Sequence, residues 1–139
     1  MKLYEVAQQV ITLYHVTQTQ NVDKIKREGI THFNPSNWVK AGSKERYGEG
    51  DIYAFDSEKD AVRWAAKMDW EFNQQMGSGK ISVVSFKADP RLWKEDISDP
   101  LGQAGAEGKW LKSHAAVKPS QIVGGYPVTS DRIKSVVRS

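Results

Sequence analysis

Leu13-Tyr14-His15-Val16-Thr17 is the stretch on which the fold turns. From Thr12 to Thr17 the chain alternates and is rich in β-formers, which predicts a strand. Side chains alternate faces along a strand, so Leu13, His15 and Thr17 share one side and Tyr14 and Val16 the other. A second short strand is expected over Asp51 to Phe55, where Asp51, Tyr53 and Phe55 share a side. A His and a Thr two residues apart, beside a strand presenting a Tyr, make a polar and aromatic wall. An imidazole can bond a sugar hydroxyl, and a tyrosine ring can stack on a flat heterocycle. The plain alternative is a satisfied core or edge histidine.

Outward from this stretch, Asn21 to Glu28 reads as a short helix. Asn21 is its candidate N-cap, Val22 and Ile25 its apolar side and Gly29 its stop. Residues 1–10 read as an amphipathic lead-in. Thr31 to Gly50 is a long polar loop with the charge cluster Lys44-Glu45-Arg46, and loops of that length tend to be functional or disordered. Ser57 caps a helix that ends near Gln75. Ala61, Trp64, Ala65, Met68 and Phe72 fall on one face of it, and the acids of its first turn suit the positive dipole end. Ile81 to Ala88 is a strand whose Val83-Val84 centre predicts burial on both faces. Asp89-Pro90 turns the chain, and residues 91–108 read as irregular. Trp110 to Val117, Ile122 to Val128 and Ile133 to Val137 read as later strands, the last alternatively as a helical turn. The βαβα alternation does not persist, so the expected class is α+β in a single domain over 1–139.

The bulk properties are permissive. The chain has 139 residues, enough to bury a core without staples. It has no cysteine, which excludes disulfides, thiolate nucleophiles and thiolate zinc sites. The opening Met1-Lys2-Leu3-Tyr4-Glu5 lacks a leader-like apolar region, and no apolar run approaches the roughly 20 residues a membrane helix needs. The expectation is a cytoplasmic protein with no membrane partner. The net charge of +3 permits an anionic ligand without demanding one. Its five tryptophans are read mainly as core, with base stacking as the functional alternative.

The order of short motifs carries a resemblance. Leu13-Tyr14-His15-Val16-Thr17, then Asn21-Val22-Asp23-Lys24-Ile25 and Glu28-Gly29-Ile30, resembles the opening of the ADP-ribosyltransferase superfamily. Gly48-Glu49-Gly50-Asp51-Ile52-Tyr53-Ala54-Phe55 is similar to its second motif, and the alanine-rich Ala61 to Ala66 to the helix that follows. Val84 to Trp93 matches the next strand and turn. Lys109-Trp110-Leu111 with Lys118-Pro119-Ser120-Gln121-Ile122 resembles the last motif region.

That resemblance implies a split, mostly antiparallel sheet with flanking short helices, gripping NAD as substrate. His15 would bond the nicotinamide-side ribose, the Val16 backbone the nicotinamide amide, Thr17 would support the cleft wall and Tyr53 would stack on the nicotinamide ring. The activity implied is mono-ADP-ribosyl transfer to a macromolecular acceptor, protein or nucleic acid. The compact size of the chain, by itself, suggests a phage or bacterial effector. Two departures stand out. Val16 occupies a position commonly Gly. The family's late-strand Glu falls on Lys109 in one alignment and near Ser113 in another, so Glu107, in the loop before the strand, is the candidate carboxylate. The plain reading of Glu107 is a solvated loop acid. The related RNA 2′-phosphotransferase chemistry ranks lower, because its arginines and N-terminal module are not apparent. A binding protein that kept the fold and lost catalysis is the third reading. Asn37 and Trp38 are candidates for a lid. His15, His32 and His114 have no metal-ligand spacing on one element. Gly48-Glu49-Gly50 lacks the Lys-Ser/Thr of a phosphate loop.

Overall fold

Strand β1 (Ile11–Gln18) is paired on both sides, and everything else is arranged about it. The structure is a computed structural model that describes residues 9–31, 51–97 and 103–138. Along one side of β1 runs β3 (Ser78–Ala88), antiparallel from Ile11 opposite Ala88 to Gln18 opposite Ile81. Along the other lies β2 (Ile52–Phe55), joined where Tyr14 faces Phe55. β5 (Trp110–Ser113) pairs with β2, and the two-residue β4 (Lys94–Glu95) borders β5. β6 (Ile122–Thr129) closes the far edge on β3. The order β4-β5-β2-β1-β3-β6 is antiparallel at every seam, so the α+β expectation holds.

Helices cover both faces. Directly opposed residues of a pair share a face, so register assigns each side chain. Leu13, Ile52, Ala54, Val84, Phe86 and Leu111 fall on one face, covered by α1 (Val22–Glu28) through Val22 and Ile25. Val16, Phe55, Val83 and Val128 fall on the other, covered by α2 (Glu58–Asn73) and α3 (Ser130–Val137). Val83 and Val84 are both 0% exposed, as a strand buried on two faces requires. Phe86, equally buried, contributes on the order of 2–3 kcal/mol by leaving water.

Local chemistry explains the helix ends. Ser57 Oγ accepts the Asp60 N–H at 3.2 Å, and Glu58 and Asp60 occupy the first turn of α2. The helix ends at Gln74, whose φ of 51° is left-handed. Past it, the buried Asp69 carboxylate accepts from the Ser78 N–H at 2.8 Å and the Ser78 hydroxyl at 2.7 Å, tying α2 to β3. Gly29 stops α1 with a φ of 80°, and a Cβ there would run into the Val117 carbonyl oxygen.

Several expectations change. Asn21 sits at the N-cap of α1 but makes no side-chain cap bond. A 3₁₀ turn, Thr19–Asn21, already feeds the helix, so Asn21 itself has helical angles. Phe72 is 36% exposed rather than on the buried face of α2. β5 ends at Ser113, well short of Val117, which forms an isolated bridge to Ile30 instead. Lys94–Glu95 forms a short strand inside a region read as irregular. The terminal segment is helix α3: Thr129 Oγ1 accepts the Arg132 N–H at 3.3 Å, and Ile133, Val136 and Val137 turn one face onto the α2 cluster. Most of the lead-in and of the long loop, including Asn37, Trp38, the Lys44-Glu45-Arg46 cluster, Gly48-Glu49-Gly50 and His32, lies outside the described residues. Among the described residues no helix is long and apolar enough to cross a membrane.

Candidate functional site

His15 sits mid-strand on the α1 face, with Val84 beside it on β3. It is 8% exposed. Beyond the Tyr14–Phe55 pair the β1–β2 ladder does not continue. The Tyr53 carbonyl is met instead by His15 Nδ1 at 2.7 Å. A carbonyl oxygen only accepts, so Nδ1 carries the proton. Burial pushes the imidazole pKa below its ordinary value, more strongly than the Tyr53 hydrogen bond raises it. The ring is therefore neutral near pH 7, and its Nε2 keeps a lone pair. Such a group accepts from a hydroxyl; it does not deliver positive charge.

Thr17 lies two residues on, fully buried on the same face and opposite Ser82. The wall joining these two side chains to the Tyr53 ring does not form. Phe55 faces Tyr14, which puts Phe55 and Tyr53 on the α2 face, and Tyr53 packs against the α2 cluster. The Val16 side chain belongs to that cluster too. What Tyr53 offers His15 is its backbone carbonyl. Within each strand the side chains alternate as expected. The register between them is not written in either one.

The three positions considered for the late-strand carboxylate separate as well. Glu107 is half exposed, with its carboxylate 3.5 Å from Lys59 Nζ and 3.3 Å from an Arg63 nitrogen. Both cations stand on α2, so Glu107 lies across the sheet from His15. Lys109 is exposed and is held through its backbone, its N–H donating to Asp56 Oδ1 at 2.7 Å. Ser113 alone falls on the His15 face, opposite Ile52, but its hydroxyl donates to the Leu92 carbonyl at 2.6 Å. The other histidine among the described residues, His114, forms a rim pair with Asp51 at 3.1 Å.

Sequence reading missed how the loop before β5 is held. The Asp60 carboxylate, buried in the first turn of α2, accepts the backbone N–H groups of Glu107 at 3.0 Å and Gly108 at 2.8 Å. Asp56 takes the next N–H, and a Cβ on Gly108 would collide with its Oδ1. Two carboxylates thus hold the loop against α2. In the sequence, Asp60 is indistinguishable from any acid that favours a helix N-terminus.

No family model matches the chain, and no curated protein matches it. Among solved structures it is similar to the X-ray structure of protein CC0527 from Caulobacter crescentus, at 15% identity, covering 84% of each chain, with a TM-score of 0.46.

Proposed function

We propose that the chain is a small NAD-dependent ADP-ribosyltransferase, with His15 as the anchor for a ribose hydroxyl. One observation carries the reading: a neutral, buried imidazole with its Nδ1 proton committed to Tyr53, at the place where β1 and β2 stop pairing. The parting of those strands is the local feature that a cleft in a split sheet calls for. The Nε2 lone pair suits a sugar hydroxyl, and the backbone of Val16 beside it is the candidate contact for the nicotinamide amide. Tyr53 acts on this reading as a positioning residue that sets the His15 tautomer.

The chemistry is economical. The bond from ribose C1′ to nicotinamide breaks with both electrons going to the ring, which leaves neutral. A nucleophile of a protein or nucleic-acid acceptor then bonds C1′ and loses its proton to solvent. Positioning and electrostatic help for the developing sugar cation are what the protein must supply. A phage or bacterial effector acting in the cytoplasm fits this activity.

A second reading, NAD binding without transfer, is favoured by the place of Glu107. A carboxylate paired with Lys59 and Arg63 on the far face is not beside His15. The deciding experiment incubates the protein with NAD labelled in its ADP-ribose, with and without cell extract, and follows nicotinamide release and label transfer. The transferase reading expects both, and expects His15→Ala to abolish them. Binding that needs His15 but yields no transfer selects the second reading. An absence of NAD binding at millimolar concentration rejects both. Glu107→Ala and Tyr53→Ala are read alongside. Full activity in Glu107→Ala removes that carboxylate from the chemistry.

A further inference from the structure

The α2 face carries a separate concavity, between the helix and the strapped loop that precedes β5. Its volume is about 130 Å³, and Trp64, Trp110, Ala104 and Ala106 are among its walls. Arg63 and Lys67, one helical turn apart, line it too, as does Asp60, whose carboxylate oxygens are taken up by the Glu107 and Gly108 N–H groups. The aromatic walls are braced from below. Phe55 meets Trp110 edge-on at 5.4 Å between centroids and Trp64 at 6.0 Å. The loop wall is braced by the Asp60 and Asp56 hydrogen bonds. Such bracing lowers the ordering cost of binding.

Two groups here have unmet chemistry. The indole N–H of Trp110 is buried and makes no hydrogen bond among the described residues. Buried donors are seldom left so. Lys67 is exposed and makes no ion pair among them. Arg63 shares its charge with Glu107 and, at 3.8 Å, Asp60.

We propose that this pocket binds one planar ring carrying an anionic group. The ring lies against the indoles, and the anion is held by Lys67 and Arg63. Apolar aromatic walls with a few charged groups at the rim are how small-ligand sites are built. A volume of this order suits one ring, since an enclosed cavity of roughly 150 Å³ admits benzene. The site lies across the sheet from His15 and is independent of the function proposed above.

The test is titration of the full chain with phenyl phosphate, followed by tryptophan fluorescence and by ligand-observed NMR. Phenyl phosphate is expected to bind about ten-fold or more tighter than either inorganic phosphate or phenol, since ring and anion each contribute about 1.4 kcal/mol or more. Lys67→Glu is expected to abolish this; the side chain is exposed, and circular dichroism checks that the variant is folded. Ala106→Leu, which fills the pocket, is expected to do the same. Benzoate and uridine monophosphate separate the two sources of such a ligand. Tighter binding of either one supports the pocket and names its source. Two results overturn the proposal: phenyl phosphate binding no better than inorganic phosphate, or Lys67→Glu binding as the parent does. The readout needs no NAD, so a failed NAD titration leaves it standing.

Discussion

The two seams of β1 are built differently. Toward β3 it is zipped over eight consecutive pairs, from Ile11–Ala88 to Gln18–Ile81. Toward β2 it is joined at Tyr14–Phe55, and a side chain then takes over from the ladder, His15 meeting the Tyr53 carbonyl. The first seam is backbone repetition, indifferent to which residues stand in it so long as they pack. The second depends on one imidazole. Where the ladder gives way to a side chain, the bond to the Tyr53 carbonyl uses one ring nitrogen of His15 and leaves the lone pair of the other for a ligand.

Mutations at each seam sharpen the contrast. Phe86→Ala, in the zipped seam, removes a fully buried ring and is expected to cost about 3–5 kcal/mol in urea unfolding. A loss under 1 kcal/mol contradicts the packing described. His15→Ala is expected to cost less, about 2–4 kcal/mol, from a cavity and a buried carbonyl left without its donor. His15→Gln, whose amide N–H can reach an acceptor, should recover part of that. If Gln and Ala behave alike, the hydrogen bond to Tyr53 is not what holds this seam.

The same histidine makes the second seam acid-sensitive. Its folded pKa lies below its unfolded value. Below about pH 6.5 the unfolded chain takes up a proton that the folded chain resists, so stability falls as pH drops, by about 1.4 kcal/mol per pH unit until the folded pKa is reached. Denaturant midpoints at pH 7 and pH 5.5 measure it. His15→Gln should have a shallower dependence in that window, and an unchanged slope would falsify the assignment. The smallest effect belongs to Glu107→Gln. Its pairs with Lys59 and Arg63 are half exposed, so a change of about 0–1 kcal/mol is expected. A larger loss means that Glu107 closes the loop more firmly than Asp60 does.

Much of the framework was legible. The alternation at 12–17, the cap at Ser57, the apolar face of α2 and the stop at Gly29 are short-range signals, and the structure uses each of them. α3 was ambiguous because Ile133 to Val137 is too short for a period to declare itself. Its helical state follows from the Thr129 cap and from the α2 surface it covers. The strap on the loop before β5 was not legible at all. Asp60 and Gly108 are 48 residues apart. Nothing local distinguishes a carboxylate that caps its own helix from one that holds a distant loop.

His15 itself shows where the division falls. Sequence by itself determined that His15 lies on a strand with Leu13 and Thr17 on its face, because alternation is a property of one strand alone. Whether Tyr53 joins them depends on the register of β2 against β1. A slip of one residue would have put the Tyr53 ring beside the imidazole; the pairing of Tyr14 with Phe55 puts it on the other face. Register is settled by what both faces can bury at once, here the α1 cluster on one side and the α2 cluster on the other. No single strand contains that information, and only the packed sheet decided it.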